Sequence, residues 1–215
     1  MGDVDWGRVA ILLAVIVPSV MLHEIAHGAV ANLFGDDTAK RAGRLTLNPL
    51  RHIDPFGTLV LPVILSLSGV GAFGYAKPVP VNVSRLRDPR RQALLVSLAG
   101  PATNLALVVV ATLALRGLFA HDLSRAFTID DLTLVVRYVF WFGFVNMTLA
   151  VFNMLPIPPL DGSALIERAL PAAWWPGWLR LRPYGMGILL MLFFLKPGLL
   201  GHVFDPALRL WERSL

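Results

Sequence analysis

Cysteine is missing from all 215 positions. That removes disulfide frameworks and thiol catalysis, and leaves His, Asp and Glu to build any metal site. Charge is scarce as well. Asp, Glu, Lys and Arg make up 15% of the chain against 56% hydrophobic residues, where a soluble domain carries about 25% charged residues. So few charges cannot cover the surface of a soluble domain of this length. A soluble globular enzyme, a disordered chain and a nucleic-acid binder are thereby excluded. Lysine stands only at Lys40, Lys77 and Lys196, and glutamate only at Glu24, Glu167 and Glu212. There is no internal repeat, no low-complexity tract and no linker, so residues 1–215 read as one domain. The charge that exists leans basic, 19 Lys+Arg against 14 Asp+Glu, as expected of a membrane protein with basic cytoplasmic loops.

Long apolar runs are plentiful. Stretches at about 7–34, 56–75, 92–118, 132–155 and 183–203 approach the ~20 residues a helix needs to span a bilayer. Asp3 and Asp5 spoil a positive leader, so the first run is expected to be a helix rather than a signal peptide. Gly35-Asp36-Asp37 marks its end. The last run is interrupted by Lys196-Pro197-Gly198. Cations cluster at 36–55 (Lys40, Arg41, Arg44, Arg51), 76–91 (Lys77, Arg85, Arg87, Arg90, Arg91) and 156–182 (Arg168, Arg180, Arg182). The segment 119–131 instead carries Asp122, Asp130 and Asp131 against one cation, Arg125. Positive charge inside places the first three in the cytoplasm and the last outside. This holds only if the Gly- and Pro-rich run 56–75 enters and leaves on the same side, as a re-entrant loop buried in protein or lining a wet cavity.

The chemistry starts at His23-Glu24-Ile25-Ala26-His27. On a helix, positions i and i+4 lie about 40° apart, so both imidazoles share a face and suit a zinc ion. Glu24 stands beside that face, placed to hold and deprotonate a water. The bland alternative is two buried histidines and a glutamate satisfied by neighbours, which is expensive in hydrocarbon. A catalytic zinc takes three protein ligands. Asp161 is the candidate third, following the turn forced by Pro156, Pro158 and Pro159. Its competing role is to cap a helix starting near Ser163. With 56–75 re-entrant, the first and fourth helices both run outside to inside, and Asp161 reaches the depth of the histidines.

Three motifs, HEIAHG (23–28), AGPATN (99–104) and NMLPIPPLDG (153–162), together with GRLTLNP (43–49), HIDPFGT (52–58) and GYAKPVPVN (74–82), carry a resemblance. The chain resembles the site-2 protease family of intramembrane zinc metalloproteases, over about residues 10–170. The likeness is to the compact bacterial and archaeal branch that lacks an inserted PDZ domain and a terminal CBS domain. It implies one Zn²⁺ on His23, His27 and Asp161, Glu24 as general base, and a transmembrane protein as substrate. It also implies a multi-pass protein of a prokaryotic cell membrane, an all-α polytopic fold with a re-entrant loop and a small membrane-associated β element.

Around that core stand less determined residues. Asn153 can donate to a substrate carbonyl or oxyanion, or cap its own broken helix. Asn104 reads as a hydrogen bond between helices or as a catalytic group. Gly100 and Ala102 let their helix approach a neighbour closely. His52, in a basic Pro-rich loop, reads mainly as a loop brace. Residues 75–83 read as an extended edge strand: Pro78 and Pro80 lack N–H groups on one edge, leaving Val79 and Val81 to pair on the other. Residues 43–49 alternate likewise. The strand is expected to hold an unwound substrate by strand addition, or else to pair with 43–49 as a lid. The rival functions are a metal-fold scaffold without catalysis, which would not need Glu24, and a different HExxH membrane protease with a Glu as third ligand. Glu167 and Glu212 are the only glutamates left for that role. Substrate identity and oligomeric state are not written in the sequence. The basic loops also invite contact with anionic lipid.

Overall fold

The computed structural model describes residues 6–52, 54, 77–122 and 133–215. The expected re-entrant run 56–75 and most of the acidic loop, 123–131, lie outside them. Among the described residues, three helices are long and apolar enough to cross a membrane. These are α1 (Trp6–Leu33), α2 (Pro89–Asp122) and α3 (Leu134–Asn153). Shorter helices follow: α4 (Ser163–Ala169), α5 (Trp175–Leu181), α6 (Gly185–Leu195) and α7 (Pro197–Glu212).

The long helices are apolar on all sides, the pattern of a helix that no water touches. On α2, Leu105, Val109, Val110 and Leu113 lie uncovered by protein, a surface that suits lipid rather than water. α1 survives Pro18 because help comes from outside the helix. Proline has no N–H for the carbonyl of residue 14, and the Tyr138 hydroxyl of α3 donates to Ala14 O instead, at 3.2 Å. α1 ends as the sequence says it should. Gly35 sits at φ 107°, and the Asp36 N–H closes back on Ala31 O at 2.9 Å, a glycine-terminated helix end.

Cross-helix contacts fix the directions. Arg87 N–H donates to Phe34 O at 3.2 Å, and farther along Asn104 meets His23, so α2 runs antiparallel to α1. Tyr138 meets Ala14, and Asn146 meets Ser19, so α3 runs parallel to α1. The end of α1, the start of α2 and the end of α3 therefore share one side. His52 and Lys77, flanking the run outside the described residues, are hydrogen-bonded to each other (Lys77 N to His52 O, 3.0 Å). The interrupted last run is two helices, α6 and α7, parted at Lys196. Trp211 of α7 wedges between α2 and α3 against Val108, Leu115 and Val136, and its Nε1 donates to Thr112 Oγ1 at 2.9 Å.

The expected β element differs. Among the described residues there is no strand. Residues 43–49 form turns around Gly43 (φ 65°), and 77–82 is irregular and pairs with no ladder before a 3₁₀ turn at Val83–Arg85. The reason is where the amides go. Lys77 N–H donates to His52 O, Val79 N–H to Glu24 Oε2 at 2.7 Å, and Asn82 N–H to Asp36 Oδ2 at 2.6 Å, while Pro78 and Pro80 have none to offer. Side chains and loop carbonyls consume the donors a ladder would need. The edge expected to be free at Val79 is thus already taken.

Candidate metal centre

One turn of α1 sets the imidazoles of His23 and His27 side by side, with Nε2 atoms 3.0 Å apart. Both side chains are buried. Asp161 comes from the other end of the sequence. After α3 stops at Asn153, the proline-bearing loop folds back, and the Gly162 N–H closes it on Asn153 O at 2.6 Å. Gly162 is needed for this closeness: a Cβ there would lie 2.6 Å from Leu155 O and nearer still to Met154 O. The loop aims Asp161 Oδ2 at both histidines, 3.1 Å from His23 Nε2 and 3.3 Å from His27 Nε2. The capping role is not what its carboxylate does, since α4 has no side-chain cap.

The protonation pattern around these atoms is decided by their outer partners. His27 Nδ1 lies 2.7 Å from the carbonyl oxygen of Val96, which can only accept. Nδ1 of His27 therefore carries the proton, and in the neutral ring Nε2 carries a lone pair. His23 Nδ1 lies 2.6 Å from Asn104 Oδ1 and is likewise a donor. Three acceptors then converge, two imidazole nitrogens and a carboxylate oxygen that is buried without a hydrogen-bond partner. Such a cluster needs a cation at its centre. The separations of 3.0–3.3 Å come close to the edge of a tetrahedron with bonds of 2.0–2.2 Å, about 3.3–3.6 Å. Gly100 keeps the space open. A Cβ on it would sit 2.6 Å from His23 Nε2 and closer to His27 Nε2. The donor set, two imidazoles and one carboxylate, suits zinc.

Glu24 stands beside this cluster on α1 and is not one of the three converging ligands. Its Oε2 accepts the Val79 N–H at 2.7 Å. Gly28, which closes the first motif, lets Leu45, Ala39 and Val79 pack against α1, each lying 2.8–2.9 Å from where its Cβ would be. The other candidates take plainer places. The Asn153 amide donates back to Leu149 O on its own helix at 3.0 Å. Val81 packs beside Ala31, Leu86 and Val96. Glu167 is held by Trp178 Nε1 at 3.1 Å and by Arg182, away from the cluster. His52 is buried and its Nε2 bonds Thr46 O at 2.9 Å. Two residues the sequence reading passed over, Asn146 and Ser19, are fully buried and continue the hydrogen bonds of Asn104. A signal existed: Asn146 is an amide in the middle of an apolar run, which is costly unless partnered.

The sequence profile of Peptidase family M50 matches residues 11–131 and 128–174. The chain belongs to that family. The M50 relatives carry the same message in their names. "Putative zinc metalloprotease YwhC" of Bacillus subtilis is 39% identical over 95% of this chain and 88% of its own length. "Putative zinc metalloprotease Rip2" of Mycobacterium tuberculosis (strain H37Rv) is 34% identical over 97% of this chain and 75% of its own length. "Putative zinc metalloprotease MJ0611" of the archaeon Methanocaldococcus jannaschii is 31% identical over 68% of this chain and 64% of its own length. No solved structure is significantly similar. This M50 chain is a zinc metalloprotease with three membrane-capable helices among its described residues.

Proposed function

We propose that this protein cleaves a peptide bond in or near a transmembrane segment of another membrane protein, at a site inside the bilayer toward the cytoplasm. One observation carries the reading: the converging lone pairs of His23, His27 and Asp161 lie within the membrane-capable part of α1 and on the loop that folds back after α3, with Glu24 alongside. A zinc ion held by these three would polarise the scissile carbonyl and make its attacking water more acidic. Glu24 takes the proton of that water and returns it to the leaving amine. Val79 holds the Glu24 carboxylate toward the segment 77–82 until a water or substrate replaces its N–H. That segment is also where an unwound substrate would lie, presenting its backbone to Val81. A substrate helix must unwind first, because its carbonyls are otherwise engaged. Residues 1–215 act as one membrane-embedded domain, multi-pass in a prokaryotic cell membrane. The same-side anchors His52 and Lys77 support a re-entrant path between them.

The test is metal analysis and cleavage of a model transmembrane substrate by reconstituted protein. About one zinc per chain is expected. Glu24→Gln should keep the metal and lose turnover. Asp161→Ala should lose both, and Glu167→Ala neither. Zinc retained in Asp161→Ala but lost in Glu167→Ala would transfer the ligand and overturn the assignment. The Glu24→Gln form, crosslinked in native membranes, is also the bait that would identify the substrate.

A further inference from the structure

A line of three buried side chains leaves the metal centre and crosses all three long helices. Asn104 Oδ1 meets His23 Nδ1 at 2.6 Å. Asn104 Nδ2 donates to Asn146 Oδ1 at 2.7 Å. Asn146 Nδ2 donates to Ser19 Oγ and to Phe142 O, both at 2.8 Å. Ser19 Oγ donates to Val15 O at 2.7 Å. Ser19, Asn104 and Asn146 are each 0% exposed, so water does not compete.

The chain has only one possible polarity. It ends on two backbone carbonyls, Phe142 O and Val15 O, and a carbonyl can only accept. The two hydrogens of the Asn146 amide must therefore point at Phe142 O and Ser19 Oγ, which turns its Oδ1 toward α2. Asn104 must then present its NH₂ to Asn146 and its Oδ1 to His23. His23 Nδ1 is left with one role, donor, so Nε2 keeps its lone pair for the metal. His27 reaches the same tautomer through a backbone carbonyl, Val96 O, which no substitution removes. His23 has no such carbonyl and depends on a relay of side chains.

We infer that Asn146 is a positioning residue of the metal centre: acting through Asn104, it fixes the tautomer and ring orientation of His23, although it touches neither metal ligand nor substrate. Ser19 is the weaker end of the relay. This rests on the proposed ligand set, but it is read separately from it.

The experiment compares two near-isosteric substitutions in the purified zinc-loaded protein. Asn146→Leu fills the space but cannot accept from Asn104, so the Asn104 amide is free to flip. Asn146→Asp, protonated in its buried setting, keeps a carbonyl for Asn104 and a hydroxyl for Phe142 O or Ser19. The readout is the rate of zinc loss into excess chelator, with thermal unfolding and gel filtration as the folding control. Partners behind a metal-bound histidine typically change affinity 10–100-fold. Asn146→Leu should release zinc about tenfold faster or more. Asn146→Asp should recover most of the difference. Ser19→Ala should change the rate less than about threefold, since Phe142 O still holds the Asn146 amide. If Asn146→Leu does not fold, Asn146→Ala replaces it under the same comparison. Wild-type zinc retention in the folded Leu or Ala form would overturn the inference. So would an Asp form as leaky as the Leu form, which would make Asn146 a packing residue only. Failure of the ligand assignment reads differently: His23→Ala would then keep its zinc.

Discussion

Single atoms decide the metal centre, and glycine marks where they are excluded. At Gly100 a methyl group would lie 2.6 Å from His23 Nε2, in the space where the three ligand atoms meet. Gly100→Ala should therefore purify folded but with zinc content reduced at least tenfold by metal analysis. Gly117→Ala on the same helix meets nothing within 4 Å and should keep its zinc. A second residue-level expectation concerns Asp36, which is fully buried and accepts from the Thr38 amide at 3.1 Å, the Thr38 hydroxyl and the Asn82 amide at 2.6 Å. Burial pushes its carboxyl up, but these donors outweigh burial and hold it below the ordinary carboxylate range. A carboxylate depressed on folding contributes stability that is complete above the unfolded value of about 3.9 and lost as pH falls through the lower folded one. The thermal midpoint in detergent should fall more steeply below about pH 4 in the wild type than in Asp36→Asn. Parallel slopes would remove Asp36 from the account. The side-by-side placing of His23 and His27, with Glu24 next to them, was legible because a helix turns spacing into geometry. The approach of Asp161 to the two histidines was legible because few carboxylates competed. Asn146 and Ser19 were not, because their partners lie 42 and 127 positions away from Asn146 and only packing brings them together.

Between elements, the long helices were legible from apolar length alone, and the failure came in the extended segment. Alternation and proline parity do describe 77–82 as extended backbone, but they are silent on which groups receive its amides. Carboxylates from α1 and its terminal loop receive two of them, at Val79 and Asn82. Val79 and Val81 therefore differ, where the sequence made them equivalent. The Val79 N–H is bound to Glu24, and the Val81 N–H has no partner among the described residues. Val79→Pro should disturb Glu24 directly, lowering turnover roughly tenfold or more at unchanged zinc content, since 1.4 kcal/mol is a factor of ten. Val81→Pro should do so only if substrate backbone pairs there, and Val81→Ile is the control that keeps the N–H. Normal cleavage by a folded Val81→Pro form would make the segment a brace for Glu24 and remove it as the substrate clamp.

The three helix directions make a statement about sidedness that charge counting reached independently. α1 and α3 run one way and α2 the other, so the basic stretches 36–52, 77–91 and 156–182 all gather at the metal-centre end. The C-terminal helix then leaves that end. Phe204 stacks on Phe152, near the close of α3, while Trp211 sits against Leu115 and Val136, and Arg116 Nε donates to Ser214 O at 2.8 Å. Residue 213 thus lies at the far end of α2 from residue 84. Basic loops remain in the cytoplasm, so Ser84 should be inside and Arg213 outside. Because the native chain has no cysteine, single cysteines at these exposed positions report without background. An impermeant thiol reagent added to intact cells should label Arg213→Cys and spare Ser84→Cys until the membrane is opened. Labelling of Ser84 alone would invert the orientation and put the metal centre near the outer face, leaving its geometry intact. Labelling of both from one side would mean that α2 does not cross, and the depth at which Asp161 meets His23 and His27 would lose its explanation.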